Sequence, residues 1–202
     1  MMTVLAVAPP SDFARARRAM IDSQLRTSGV NEEWVLAAMD RVPREDHVPA
    51  AARGHAYIDR AIPLDGGHAL AAPLVQGMML AEAAPRNDDK ALLVSCGSTY
   101  LEALLRPMVG TLDVVSAQDA AAQSKGMGQH SLIVIDGAIA ELPAGLAAEL
   151  AEGGRIVTGL AEGKVTRLVK GRKHGGEVAL VALADVGIPA LPEFAAAKRW
   201  SF

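Results

Sequence analysis

The residues Ala91-Leu92-Leu93-Val94-Ser95-Cys96-Gly97-Ser98-Thr99-Tyr100 carry the strongest indication of the fold in this sequence. The first four are all apolar, which is typical of a strand that is buried on both faces of a sheet. Small polar residues and one glycine follow, and a helical pattern then runs from Tyr100 to Met108. A buried strand that turns directly into a helix predicts a unit of a parallel α/β sheet.

The same alternation continues downstream of this unit. Three further strands and one intervening helix are predicted, the strands over Leu112–Val115, Ser131–Ile135 and Arg155–Thr158 and the helix over Leu142–Leu150. We therefore predict an α/β fold with a mostly parallel twisted sheet and helices on both faces. Beyond Lys164, two strand patterns flank Gly175-Gly176, which predicts an antiparallel C-terminal hairpin. The aromatic residues of Lys198–Phe202 alternate, which predicts a last edge strand.

The N-terminal part of the chain has a different texture. Helical spacing begins after Ser11 and is stopped by Gly29, a second helix follows, and Pro73 is suited to start a third. Between them, Tyr57–Leu64 is predicted as an extended segment. We predict a flexible tail over residues 1–12 and a single domain over 13–202. Its N-terminal helical region spans 13–85 and its core spans 86–202.

Composition excludes several classes of protein. The chain has 202 residues, of which 50% are hydrophobic and 21% charged, so intrinsic disorder is excluded. The net charge of −3 and the aromatic content of 3% argue against a nucleic-acid partner. No apolar stretch approaches the roughly 18 residues that span a bilayer, so we expect no membrane partner and a cytoplasmic location. The single cysteine excludes an internal disulfide and a multi-cysteine metal site.

Candidate functional residues lie where the predicted strands end, because open α/β sheets bind ligands there. The turn Ser95–Tyr100 has one glycine, Gly97, whereas nucleotide-binding turns use several. Cys96 is either a small buried residue or a reactive thiol at a helix N-terminus. Asp136 follows the strand Ser131–Ile135 and either faces the cleft or caps the next helix. A nicotinamide-dependent oxidoreductase is disfavoured, since the turn lacks the G-x-G-x-x-G pattern.

The histidines give weaker indications of chemistry. His68 lies in a loop that would face the cleft, where it is either a general base or a solvated side chain. His47 and His55 lie near Asp46 and Asp59, but the spacing is not that of metal ligands. We therefore predict no metal site.

Four stretches together resemble a known family, the protein-L-isoaspartate O-methyltransferases. The first two are Met20–Val30 and Val35–Glu45, the latter containing the family's V-L-x-A-M-x-x-V-P-R pattern and leading to Val48-Pro49. Ala56–Leu64 is similar to the family's A-Y-x-D-x-x-L-P-I, and Gly153–Val157 to its G-G-R-L-V. The resemblance covers roughly residues 13–160.

The resemblance implies a Rossmann-like methyltransferase fold and S-adenosylmethionine as the cofactor. It implies that the chain transfers a methyl group to the side-chain carboxylate of isoaspartyl residues in damaged proteins, which begins their repair. A protein or peptide would be the partner, no metal would be needed, and a homodimer is possible. By position, Gly97, Ser98 and Tyr100 match the cofactor turn, while Asp59 and Pro73 match the substrate-loop region.

The departures from the family fall on the residues that would do this chemistry. The family's T-I-S-Q-P corresponds to Ala69–Pro73, so that Ala71 occupies the position of the active-site serine and no catalytic residue is predicted. In the cofactor turn V-L-E-I-G-T-G-S-G-Y, two of three glycines are lost and Leu93 replaces the acidic residue. Ser116 stands where the second strand would end in an acidic residue.

A deletion accompanies these substitutions. Residues 116–130 are too few for the helix and strand that the family has between its second strand and its F-D-x-I-I-V strand. Residues Lys125–Gly128 could form only a loop or a short turn, so we predict a sheet one strand shorter than the family's.

The losses together predict a degenerate family member. Each lost charged hydrogen bond to a buried ligand costs about 1.5–3 kcal/mol, and three would weaken binding about a thousandfold. We expect that S-adenosylmethionine binding is weak or absent and that the chain is a pseudoenzyme. Whether any methyl transfer remains is left open. The alternative is a non-catalytic interaction or scaffold module on the methyltransferase fold. A cofactor-sized pocket between Gly97, Ser116 and Asp136 would distinguish the two.

Overall fold

The structure, a computed structural model, describes residues 12–122 and 129–195. Within these ranges the helices are α1 (Asp12–Met20), α2 (Glu33–Arg41), α3 (Pro73–Ala83), α4 (Tyr100–Leu105), α5 (Ala117–Ala122) and α6 (Ala144–Glu149). The strands are β1 (Ile62–Pro63), β2 (Ala69–Leu70), β3 (Lys90–Ser95), β4 (Thr111–Ser116), β5 (His130–Ile139), β6 (Leu150–Glu162), β7 (Val165–His174) and β8 (Glu177–Asp185).

The main sheet has six strands in the order β4-β3-β5-β6-β7-β8. Strands β4, β3, β5 and β6 are mutually parallel, whereas β6, β7 and β8 form an antiparallel meander. The predicted C-terminal hairpin is confirmed, with Gly175 and Gly176 at its tip in the left-handed conformation that a tight hairpin turn requires. The short strands β1 and β2 form a separate antiparallel pair.

Both faces of the central strands are covered. In β3, the four residues Ala91–Val94 are all fully buried. Because successive side chains of a strand point to opposite faces, this burial requires packing on each side of the sheet. Helices α4 and α5 pack against β3, and α3 and α6 pack against β6. The predicted α/β fold, with its mostly parallel sheet and helices on both faces, is confirmed.

The N-terminal region is helical, as predicted. Helix α1 continues through a π-helical turn at Ile21–Leu25 and a 3-10 turn at Arg26–Ser28, and Gly29 ends it at φ 95°. The prediction of an extended segment over Tyr57–Leu64 is wrong for most of its length, since only Ile62–Pro63 is a strand. The preceding residues form turns, in which Ile58 N donates to His55 O at 3.1 Å and Arg60 N donates to Ile58 O at 2.7 Å.

Strand β5 is longer than predicted. It runs four residues beyond Ile135, so Asp136 lies inside the strand and not after its end. The extension has a long-range cause. The C-terminal segment pairs with it, through hydrogen bonds from Ala138 N to Pro189 O (2.8 Å) and from Leu191 N to Ala138 O (2.9 Å). Gly137 permits this contact, because a Cβ there would lie 2.6 Å from Leu191 Cγ.

Three predictions fall wholly or mostly outside the described residues: the tail over residues 1–12 (apart from Asp12, which begins α1), the loop at Lys125–Gly128 and the edge strand at Lys198–Phe202. In the described part of the chain, no strand follows β4 before β5, and β4 lies at the sheet edge. A sheet one strand shorter than the family's stays a prediction. No helix within residues 12–122 and 129–195 is long and apolar enough to cross a bilayer.

Candidate functional site

A cleft of about 570 Å³ opens at the carboxyl end of β3. The turn Gly97–Thr99 forms one wall, and the loops Asp46–Pro49 and Leu64–Gly66, with His68, form the other. This is the edge of an open α/β sheet at which ligands bind. Ser116 and Asp136 do not line the cleft, so the cleft does not span the three positions Gly97, Ser116 and Asp136.

The turn after β3 satisfies its own backbone donors. Gly97 has φ 96° and is exposed to the cleft, but its N–H donates to Ser95 Oγ at 3.0 Å. The N–H of Tyr100 donates to Ser98 Oγ at 3.2 Å. The same Ser98 hydroxyl donates to His47 O at 3.0 Å, and Ser95 Oγ donates to Ser98 O at 3.2 Å. Two N–H groups that a glycine-rich turn would direct at a ligand are therefore engaged within the turn.

Tyr100 lies beneath this turn and does not line the cleft. Its side chain is fully buried. The ring centroid is 4.9 Å from the guanidinium carbon of Arg44 and 5.6 Å from the ring centroid of His47. Burial raises the pKa of the Tyr100 hydroxyl to about 12, although the positive charge of Arg44 opposes the shift. The ring supports the cleft wall as a neutral, packed group.

Arg44 organises the interior next to the cleft and is fully buried. Its Nε donates to Ala56 O at 2.8 Å, and its two terminal nitrogens donate to Ala71 O (2.6 Å) and to the Gln76 side-chain oxygen. Ala71 therefore contributes its backbone carbonyl as an acceptor for Arg44. The role of Arg44 was not predicted from the sequence. The one feature of the sequence that could have drawn attention to Arg44 is its place in the V-P-R motif.

Asp136 and Cys96 form a second buried pair beside Gln76. Cys96 Sγ donates to Asp136 Oδ2 at 3.1 Å, and Gln76 Nε2 donates to Asp136 Oδ1 at 3.4 Å. Burial raises the pKa of the Asp136 carboxyl and of the Cys96 thiol. A buried thiol with a raised pKa is a poor nucleophile, so the geometry favours the interpretation of Cys96 as a packed residue. Neither alternative for Asp136 is observed, because the residue is 1% exposed, does not line the cleft and lies within β5 instead of before a helix.

Two histidines that line the cleft are held by polar partners. His47 Nδ1 lies 2.7 Å from Thr99 Oγ1, and burial lowers the pKa of His47. His68 Nε2 lies 2.9 Å from Glu193 Oε1, so the loop at His68 is tied to the C-terminal segment. No local pattern predicts this pair, because its members are 125 residues apart. His55 lies on an exposed turn and does not line the cleft.

The remaining predicted site residues lie at helix starts. Asp59 Oδ1 accepts a hydrogen bond from Leu74 N at 3.2 Å, and Pro73 is the first residue of α3. Ser116 Oγ donates to Asp119 Oδ2 at 2.7 Å and accepts from Asp119 N at 3.0 Å. None of these residues lines the cleft. In the part of the chain that the structure describes, no group of three His, Cys, Asp or Glu is arranged to hold a metal ion.

A family model and individual proteins that resemble this chain all carry the same family name. The sequence model of the family "Protein-L-isoaspartate(D-aspartate) O-methyltransferase (PCMT)" matches residues 15–125. A protein-L-isoaspartate O-methyltransferase of Roseiflexus castenholzii is 30% identical, over 87% of this chain and 91% of that protein. A protein-L-isoaspartate O-methyltransferase 2 of an Anaeromyxobacter species is 33% identical, over 76% of this chain and 73% of that protein.

Solved structures share the fold. A protein from Plasmodium falciparum, described as a protein-L-isoaspartate O-methyltransferase in complex with S-adenosyl-L-homocysteine, superimposes with a TM-score of 0.73. The alignment covers 88% of this chain and 98% of that one, at 17% identity. A second protein-L-isoaspartate O-methyltransferase gives a TM-score of 0.66. The expected Rossmann-like methyltransferase fold is confirmed.

Proposed function

The chain belongs to the protein-L-isoaspartate O-methyltransferase family, and we propose that it is a degenerate member in which S-adenosylmethionine binds weakly or not at all. The internal hydrogen bonding of the turn after β3 is the observation that carries this proposal. Ser95 Oγ accepts from Gly97 N, and Ser98 Oγ accepts from Tyr100 N. A cofactor would have to displace these bonds, each worth about 0.5–1.5 kcal/mol, before it could use the same donors.

Other features of the site support the same proposal. The donors of this turn do not fit the cofactor, because Ser95 and Thr99 each carry a side chain where the family's turn has a glycine. Thr99 Oγ1 is engaged by His47 across the cleft wall. The Ser116 hydroxyl is used within its own turn with Asp119. We therefore propose that the fold serves as a non-catalytic interaction module for a protein or peptide.

Retained methyl transfer is the second candidate function, and the cleft itself favours it. Its volume of about 570 Å³ lies within the usual range for small-molecule sites. Gly97 is also open to it, with no atom within 4 Å of where a Cβ would stand. The candidate activity is that of the family, methylation of isoaspartyl residues.

Calorimetric titration with S-adenosylhomocysteine separates the two candidates. We expect no heat at millimolar ligand, and no methyl ester on an isoaspartyl peptide incubated with S-adenosylmethionine. The double variant Ser95→Gly with Thr99→Gly restores the two glycines, and we expect it to gain measurable binding because it frees the N–H of Gly97. Micromolar binding or methyl ester formation by the unmodified protein would overturn the proposal and establish the second candidate.

A further inference from the structure

A second groove, of about 380 Å³, lies on the face of the sheet formed by β6, β7 and β8. It shares no lining residue with the cleft at β3. Its lining combines small or apolar residues with charged ones: Ile156, Val157, Gly171, Ala179 and Val181, and Glu82, Arg155, Lys170 and Arg172.

The strand register arranges the side chains of this face in two rows. Partners in an antiparallel ladder point to the same face of the sheet. One row therefore contains Arg155, Arg172 and Ala179. The neighbouring row contains Val157, Lys170 and Val181. Two arginines thus stand directly opposite each other, an arrangement that is unfavourable unless negative charge compensates it.

Compensation is present for one arginine and lacking for the other. Arg155 is paired with Asp89 at 2.6 Å and also donates to Ala83 O. Arg172 donates from Nε to Gly153 O at 3.1 Å, and among the described residues no carboxylate pairs with its guanidinium. Lys170, in the next row, is neutralised by Glu82 at 2.8 Å. The groove therefore carries one uncompensated positive charge at Arg172.

Apolar surface adjoins that charge. Ala179 follows Arg172 in its row and is exposed, and Val181, in the next row, is 59% exposed. Val157, in the same row as Val181, is fully buried, and α3 packs against its strand β6. An exposed apolar surface beside a free guanidinium matches a ligand with one anionic end and an apolar body.

We propose that this groove binds a small amphipathic carboxylate. The carboxylate would pair with the terminal N–H groups of Arg172, whose planar geometry suits two parallel hydrogen bonds. The apolar body would cover Ala179 and Val181. The groove's volume falls in the range of small-molecule sites. The proposal is independent of the proposed function, because the two sites have no lining residue in common.

Methyl NMR titration of the full chain with sodium decanoate tests the proposal. We expect the Ala179 and Val181 methyl signals to shift and saturate, while decanol and butyrate, which lack the charge or the apolar body, shift them far less. Arg172→Gln should weaken decanoate binding at least tenfold. The matched control Arg53→Gln removes an exposed arginine from another surface and should leave the affinity unchanged. Val181→Thr keeps the side-chain shape and should also weaken binding.

Three results would overturn the proposal. The first is the absence of methyl shifts at millimolar decanoate. The second is unchanged affinity in both Arg172→Gln and Val181→Thr. The third is a shift of the same methyls on raising the protein concentration alone, with a matching increase in sedimentation coefficient, because the groove would then be a contact between two copies of the chain.

Discussion

Charged side chains are paired differently in two regions of the molecule, the carboxyl edge of the parallel strands and the open face of the antiparallel strands. Beside β3, the buried charge of Arg44 is satisfied by two carbonyls and an amide oxygen, and the Asp136 carboxyl receives two donors. On the face of β6–β8, Arg172 remains exposed with no carboxylate partner among the described residues. The buried polar groups beside β3 are thus paired within the protein, whereas a distant face keeps an unpaired guanidinium.

The difference follows from how strongly burial requires hydrogen-bond partners. Buried polar groups must be hydrogen bonded, because an unpaired one costs free energy. In the turn after β3, the hydroxyl oxygens of Ser95 and Ser98 accept the hydrogen bonds of two backbone N–H groups. At a solvated face no such requirement exists, and a free charge such as Arg172 is tolerated until a partner binds.

The largest effect is expected from Arg44→Met, which removes the buried charge beside β3. The substitution removes the donor to Ala56 O, Ala71 O and Gln76 and leaves buried acceptors unsatisfied, so the free energy of unfolding should fall by about 3–5 kcal/mol. Urea unfolding at neutral pH measures it. Arg53→Met, at an exposed position, is the matched control and should change the value by less than about 0.5 kcal/mol. A loss equal to the control would contradict the role given to Arg44.

Asp89 pairs with Arg155 of the groove, and Asp89→Asn should have the next largest effect. Burial acts to raise the pKa of Asp89, but hydrogen bonds from Arg155, Ser131 and the Arg86 N–H outweigh it and hold the pKa below its usual value. Since the pKa is lowered in the folded state, the stability is present above the unfolded value of about 3.9 and is lost as the pH falls through the folded value.

At neutral pH, Asp89→Asn should cost about 1.5–3 kcal/mol, the worth of hydrogen bonds to a charged group. The variant should also lose less stability than the unmodified protein as the pH falls below about 4. Unfolding curves collected from neutral to acidic pH test both points. Parallel pH dependences for the two proteins would argue against a lowered pKa at Asp89.

Gly137→Ala tests the close contact of β5 with Leu191 of the C-terminal segment. The new Cβ would meet Leu191 Cγ at 2.6 Å, and such overpacking costs about 1–3 kcal/mol. Thermal unfolding measures the effect. The control is Gly187→Ala, where no atom lies within 4 Å of the added Cβ. Adding Leu191→Ala to Gly137→Ala should relieve the clash, so a double variant whose losses simply add would refute this explanation.

The smallest effect is expected from Glu82→Gln at the open groove. The ion pair of Glu82 with Lys170 has both side chains substantially exposed, and exposed pairs contribute about 0–1 kcal/mol. We expect a change of less than about 0.5 kcal/mol in urea unfolding. A loss comparable to that of Asp89→Asn would mean that this exposed ion pair stabilises the fold as much as the buried carboxylate of Asp89 does.

Much of the fold could be predicted from local pattern. The apolar run Ala91–Val94 identified the central strand, and Gly175-Gly176 identified the hairpin. Pro73 marked the start of α3. Each of these signals lies within a few residues of the element that it specifies. The site was less predictable, because Asp136 was placed after a strand that in fact continues through it.

The features missed by sequence reasoning all depend on residues far apart in the chain. His68 meets Glu193 only because the C-terminal segment returns to the cleft. Arg44 finds its acceptors on segments up to 32 residues away. The opposition of Arg155 and Arg172 follows from the pairing register of β6 and β7. Family membership and the order of elements were readable from the sequence, because periodicity and motifs are local. The partners of the buried Arg44 and the free charge on the groove were not, because hydrogen-bond partners and strand register are set when distant segments pack.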